Sequence, residues 1–376
     1  MLLLSFVDGG YFPGAWPPAI TAFLTAAALA AVLGRRVVSR PQALCAAGMA
    51  GLAGWTALST HWSPVPEAAW PETQRTLVYV AAIVAAALVG GSILRGVLAG
   101  VALVCAYAVG QRLLQGPPNP PDPIEGVLLQ APLGYANALG ALAAIGVAVI
   151  GGWLVRDLRR RLPGAVLLGL FVATLVLSES RGGWLAASVG LTVALALESG
   201  RVWLARGVAL ASVVLLGVAL ALPAGGLAEN LAARGGDRTW YWNVAWQEAA
   251  DSPLLGRGAG TFELAWLERQ PVDRIVVDAH SLYLEALAEL GVVGLILLAL
   301  ALAPPLVLAL RHAYAPAAAG GYVAFLLHAG IDWDWEMPAV TVAGLLCGSA
   351  ILLAHTRGSR KRLRPSPTRS VIVISS

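Results

Sequence analysis

The residues of this 376-residue chain that could do chemistry in water fall mainly in one stretch, from Asp237 to Gly291: DRTWYWNVAWQEAADSPLLGRGAGTFELAWLERQPVDRIVVDAHSLYLEALAELG. Arg238 and Trp242 stand four residues apart, His280 follows Asp278 at the start of a long apolar run, and Glu285 and Glu289 fall on one face of that run. A guanidinium offers a planar fork of N–H donors that matches phosphate or carboxylate oxygens. An imidazole takes or gives a proton near neutral pH without special tuning. Asp237 reads as an N-cap for a helix over 238–250, which would put Arg238 on a first turn, where the backbone N–H groups also favour an anion. GRGAG at 256–260 is a weak phosphate signal and reads first as a tight turn. A second short helix is expected around Phe262 to Arg269, closed by Pro271. There is no HExxH, no Cys/His ligand set and no Gly-x-Ser-x-Gly elbow, which argues against a zinc protease or a serine hydrolase.

The elements that must position these residues are greasy helices. Hydrophobic residues make up 58% of the chain and charged residues 12%, against about 25% charged in an ordinary soluble domain. Runs of mainly apolar residues predict spans at 17–34, 41–58, 75–93, 96–115, 133–155, 163–179, 182–198, 203–222, 280–310, 316–331 and 338–355, about eleven in all. The expectation is one all-α, polytopic membrane domain over 1–376, with a large loop at 223–279 and a basic tail at 356–376. The three cysteines lie in apolar runs and support neither a disulfide nor a zinc site, and the first residues lack the basic start and cleavage signature of a removable signal peptide.

Lys and Arg gather on alternate connections, as the positive-inside rule requires. Arg35, Arg36, Arg40, Arg95, the 156–161 cluster, Arg201, Arg206, Arg311 and the tail fall on one side, which is therefore cytoplasmic. The 223–279 loop then faces outward, and the scatter of basic residues between spans argues against a nucleic-acid partner. The outward arginines are the ones topology does not ask for: Arg75, Arg112, Arg181, Arg234, Arg238, Arg257, Arg269 and Arg274. Arg181 joins two apolar runs with almost no loop, so it either faces a cavity or ligand, or snorkels and pairs locally, with Glu179 as nearest partner. Asn137 at a helix entrance makes an interhelical hydrogen bond or lines a substrate site. Glu285 and Glu289 either pair with arginines such as Arg75 or Arg181 or line a cavity. The acidic turn IDWDWEMPA at 331–339 reads as a surface turn anchored by interfacial Trp, with a divalent-cation site as the alternative.

Four motifs in order carry a resemblance: SRGGWLA at 180–186, R-x-x-x-W at Arg238 to Trp242, SPLLGRGAGTF at 252–262, and AHSLYLEALAELGVVGL at 279–295. Together with the large loop before the His-bearing helix, they resemble the O-antigen ligase and O-antigen polymerase superfamily of bacterial membrane glycosyltransferases, which includes protein O-oligosaccharyltransferases. The resemblance implies a GT-C-like architecture in the cytoplasmic membrane, with an outward-facing site that works without metal or other cofactor. It implies inverting transfer of a glycan from an undecaprenyl-diphosphate carrier to a hydroxyl of a glycan, lipid or protein acceptor. Carried over by motif, Arg181 and Arg238 would hold the diphosphate as the glycosidic bond breaks, and His280 would deprotonate or orient the acceptor. Arg75, Arg234 and Asn137 would contribute to substrate binding, and Glu285 would support them. Stabilising a departing diphosphate is an electrostatic task that an arginine fork suits. The chain departs from the family's longer members by a short N-terminus, one helix fewer. A repeat-unit polymerase is the alternative within the family. Outside it the alternatives are a lipid-linked glycan transporter, disfavoured because the polar residues cluster near the outer surface and no inverted repeat is visible, and a catalytically silent scaffold.

Overall fold

The computed structural model describes residues 1–34, 38–123, 125–156, 161–198, 203, 207 and 227–363. The span expected at 203–222 and the tail beyond 363 lie outside the described residues. Twelve helices of eight residues or more are described: α1 (Trp16–Leu33), α2 (Arg40–Leu58), α3 (Ala69–Val89), α4 (Ile93–Gln115), α5 (Ala136–Arg156), α6 (Arg161–Ser178), α7 (Arg181–Leu197), α8 (Leu227–Asp251), α9 (Phe262–Arg269), α10 (Leu282–His312), α11 (Pro316–Ala329) and α12 (Pro338–Leu363). Among the described residues no strand occurs beyond an isolated bridge between Asp122 and Gly126. Seven of the helices are long and apolar enough to cross a membrane: α1 to α5, α10 and α12. α6 and α7 are apolar but shorter. Among the described residues the chain is thus an all-helical, multi-pass membrane protein.

A helix that is apolar all round belongs in the middle of a bundle. α5 is that helix, with buried residues on every face of its Ala- and Gly-rich sequence, against α6, α7 and α11. Lipid is as apolar as a leucine side chain, so such helices associate through close packing rather than escape from water. Gly190 of α7 and Gly320 of α11 let the two backbones approach closely, since a Cβ at either would come within 2.6 Å of the other's carbonyl oxygen.

α10 is broken at Gly291 (φ 66°, ψ −168°), a conformation open essentially to glycine alone. An unpaired backbone group in hydrocarbon costs several kcal/mol, so a break of this kind needs partners. The GRGAG turn supplies them. Arg257 N–H donates to Ala288 O (3.0 Å) and Gly258 N–H to Glu289 O (2.8 Å), while Val292 N–H reaches Pro253 O (2.9 Å). Trp55 Nε1–H of α2 donates to Leu290 O at 2.9 Å. The glycine-rich stretch is therefore the turn chemistry its composition suggests: it caps a broken helix.

The loop that follows α7 builds its own small core, in which Tyr241, Val244 and Ala245 of α8 meet Phe262, Ala265 and Trp266 of α9 and Val276 and Ala279 ahead of α10. α9 has the expected bounds. α8 does not start at Asp237: the Ala- and Leu-rich residues from Leu227 carry the helix through Gly235 and Gly236, so Arg238 lies mid-helix and has no first-turn N–H groups beside it.

Candidate functional site

The polar residues singled out by the sequence meet at one end of the bundle, where α3, α5, α7, α10 and α12 begin, α11 ends, and α8 and α9 sit. Their meeting point is the turn between α11 and α12. Asp332, Asp334 and Glu336 are 1%, 1% and 2% exposed, so the acidic turn is not on the surface as expected. Each carboxylate takes a partner from a different element. Arg238 of α8 donates Nη2–H to Asp332 Oδ2 (2.7 Å). His328 of α11 places Nδ1 2.6 Å from Asp334 Oδ2. Arg75 of α3 lies 3.2 Å from Glu336 Oε1 and also pairs with Glu72 one turn away. Three buried carboxyl groups are tolerable because each has such a partner.

Asp332 gathers more than Arg238. Its Oδ1 accepts the Tyr135 hydroxyl (2.8 Å) and the Trp333 backbone N–H (3.0 Å), and Tyr135 in turn accepts from Asn137 Nδ2 (2.9 Å). Burial alone would raise the Asp332 carboxyl, but the Arg238 guanidinium, helped by His328, holds it below the usual carboxylate range. Arg238 is thus fixed in direction by a charged partner, with its hydrogen bond among the described residues made from Nη2, which leaves N–H donors of the fork for a second anion.

His280 sits in the left-handed region at φ 54°, a strained backbone for a residue with a side chain. Trp242 Nε1–H donates to its carbonyl (3.3 Å) and holds that backbone. The R-x-x-x-W spacing therefore puts two tools on one face of α8, an arginine and the indole that anchors the histidine. His280 Nδ1 lies 3.0 Å from the Asp278 carbonyl oxygen. A carbonyl can only accept, so Nδ1 carries the proton and the lone pair is on Nε2. Burial, ahead of the nearby charges, lowers the imidazole below its ordinary pKa of 6.5 and keeps it neutral near pH 7. Tyr241 (5.1 Å) and Trp333 (6.3 Å) pack their rings around it.

Arg181 opens α7, whose N-cap Ser180 accepts the Gly183 N–H (3.0 Å). The next residue, Gly182, lies against His328 and Ile331 of the same acidic turn, which brings Arg181 to this end of the bundle. Arg75 is only 5% exposed and already paired to two carboxylates, so here its charge is met within the protein. Arg234 belongs to α8, and its side chain lies outside the described residues. Among the described residues Glu285 and Glu289 do not pair with arginines. Glu285 accepts the Ala279 N–H (2.7 Å) just ahead of α10, and Glu289 accepts the Gly260 and Phe262 N–H groups (2.8 and 2.9 Å). Both are fasteners between α10 and the loop.

Carboxylate oxygens of Asp278, Glu285 and Glu336 lie within 4.8 Å of one another, a spacing that would suit a divalent cation. Arg75 faces Glu336, the Ala279 N–H faces Glu285, and burial pushes the Asp278 carboxyl up to about 7.

Residues 165–299 match the family described as O-antigen ligase. The match covers about a third of the chain and supports the resemblance to the O-antigen ligase superfamily. No curated protein matches the chain. The matched stretch runs from α6 into α10 and contains Arg181, Arg238 and His280, so all three motif-borne residues fall inside the O-antigen ligase region. Asp332, Tyr135 and His328, which the structure adds, lie outside it.

Proposed function

We propose that the protein transfers a sugar chain from an undecaprenyl-diphosphate carrier to an acceptor hydroxyl at the outer face of the cytoplasmic membrane. The observation that carries this reading is the placement of Arg238, aimed by Asp332, beside a neutral His280 whose Nε2 holds the lone pair. The free N–H groups of Arg238, with Arg181 at the start of α7, hold the diphosphate. His280 Nε2 takes the proton of the acceptor hydroxyl as its oxygen attacks the anomeric carbon. The bond between that carbon and the diphosphate oxygen breaks, the electron pair leaves with undecaprenyl diphosphate, and the anomeric centre inverts. Arginine serves the leaving group here because charge-assisted bonds to phosphate oxygens strengthen as charge develops. No metal is needed for these steps.

The test is glycan transfer by purified protein in nanodiscs, with extracted undecaprenyl-diphosphate-linked glycan, a panel of lipid, peptide and glycan acceptors, and EDTA throughout. Transfer by wild type that is lost in Arg238→Ala and His280→Ala supports the reading, and the acceptor that works names the ligase or polymerase role. Movement of the intact donor across a sealed bilayer without transfer would replace it with transport.

A further inference from the structure

His328 belongs to no motif and touches no proposed substrate group, yet it is completely buried and polar on both edges. It lies in the last turn of α11, where its Nδ1 meets Asp334 Oδ2 at 2.6 Å, both side chains being 0% exposed. Asp334 is itself tied down, since its carbonyl accepts the Thr341 hydroxyl of α12 at 2.7 Å. Two residues before Asp334 on the same turn, Asp332 holds Arg238.

The other edge of the ring faces α7. A Cβ built on Gly182 would come 3.0 Å from His328 Nε2, 3.2 Å from its Cδ2 and 3.3 Å from Ile331 Cδ1. The imidazole therefore fills the space that any side chain at position 182 would take. Nε2 has no hydrogen-bond partner among the described residues and is out of reach of solvent, so this edge makes steric contact only. A buried donor or acceptor left unpaired costs about 1–3 kcal/mol, which an apolar ring of the same shape would avoid. What such a ring would lack is the Nδ1 contact that keeps Asp334 from being an uncompensated buried charge. A flat side chain, polar on one edge and thin enough to lie on a glycine with the other, meets both demands.

We infer that His328 is a positioning residue that sets the spacing between the two arginines: through Asp334 it fixes the turn that aims Arg238, and through Gly182 it fixes the start of the helix that carries Arg181. The inference rests on the reading of these arginines as the diphosphate grip. It specifies what they grip, because two guanidinium groups at a set distance select a diphosphate over a single phosphate. His328 touches no reacting atom.

The experiment measures the affinity of full-length protein in nanodiscs for undecaprenyl diphosphate and for undecaprenyl monophosphate, alongside the thermal unfolding temperature. The variants are Arg238→Ala, Gly182→Ala, His328→Asn and the Gly182→Ala/His328→Asn pair. Asparagine keeps an N–H for Asp334 and withdraws the edge that meets Gly182. Gly182→Ala should weaken diphosphate binding on the order of 10-fold, the size of one lost charge-assisted hydrogen bond, and leave monophosphate binding within about 2-fold. The pair should regain most of the loss, because the smaller side chain makes room for the added methyl. Should Gly182→Ala fail to fold, His328→Asn alone asks the same question and should lose diphosphate over monophosphate preference. Parallel loss of both ligands, or unchanged diphosphate binding in Gly182→Ala and His328→Asn while Arg238→Ala loses it, would overturn the inference. Unchanged diphosphate binding in Arg238→Ala would overturn the underlying functional reading as well.

Discussion

Arg238 and Asp332 are 94 residues apart in sequence and 2.7 Å apart in space, and the pair joins the loop helix α8 to the turn between α11 and α12. Asp332 is buried and Arg238 is partly open, so the carboxylate orients the guanidinium while part of the arginine side chain stays accessible. Asp332→Asn removes the charge and keeps the shape. A hydrogen bond to a charged group is worth about 1.5–3 kcal/mol, on the order of 10–100-fold in rate if Arg238 acts in the transition state. Glycan transfer by the asparagine variant should fall by that much, with the loss in kcat exceeding any change in acceptor KM. Wild-type kinetics in this variant would mean that Arg238 needs no aiming.

The neutral state of His280 gives a pH dependence with a definite sign. Burial lowers its pKa below 6.5, and the base is the unprotonated form, so activity should be full at pH 7 and should fall only as pH drops through a value below 6.5. A pH–rate profile of kcat/KM checks this. An acid limb centred above pH 7 would assign the base to another group.

The break in α10 predicts a stability effect away from the chemistry. Gly291→Ala places a Cβ 2.3 Å from Leu254 O at a φ of 66°, so it strains the backbone and collides with the turn that caps the break. Backbone strain of this kind costs about 1–3 kcal/mol before the collision is counted. The unfolding temperature in detergent should drop by several degrees. Gly54→Ala, with nothing within 4 Å of its added Cβ in α2, is the control and should be neutral or slightly stabilising.

Glu248 of α8 predicts how stability changes with pH. It is 1% exposed, its oxygens accept no hydrogen bond among the described residues, and Arg257 stands 3.9 Å away. Burial pushes its carboxyl from 4.5 up to about 7. A group whose folded-state pKa is raised contributes stability that is fully present below its unfolded pKa and is lost as pH rises through the folded one. Glu248→Gln stays neutral, so its unfolding temperature should match wild type near pH 4.5 and exceed it at pH 8. Parallel curves over that window would show that Glu248 is not the titrating group.

The helices were legible because an apolar run in a membrane has one way to satisfy its backbone, and the expected spans at 41–58 and 338–355 fall within α2 and α12. The break at Gly291 was not, since LGVVGL is apolar on both sides of it and the partners come from 253–258. Arg238, Trp242 and His280 were visible as residues that a membrane helix does not need. Their supports were hidden for the opposite reason. In a chain with 12% charge, DWDWE looks like a turn that water must cover, and only the arrival of Arg75, His328 and Arg238 from three other helices makes its burial affordable. Three carboxylates in five residues, flanked by tryptophan and close to apolar helices, were the signal that partners were waiting elsewhere.

The most direct measurement sets wild type and Arg238→Lys side by side in nanodiscs with undecaprenyl-diphosphate-linked glycan and the acceptor that works, and follows release of free undecaprenyl diphosphate. Lysine keeps the charge and loses the fork. The account predicts release coupled to glycan transfer by wild type, and a loss on the order of 10–100-fold in the lysine variant. A wild-type protein that leaves the donor intact, or a lysine variant that matches wild type, would contradict it.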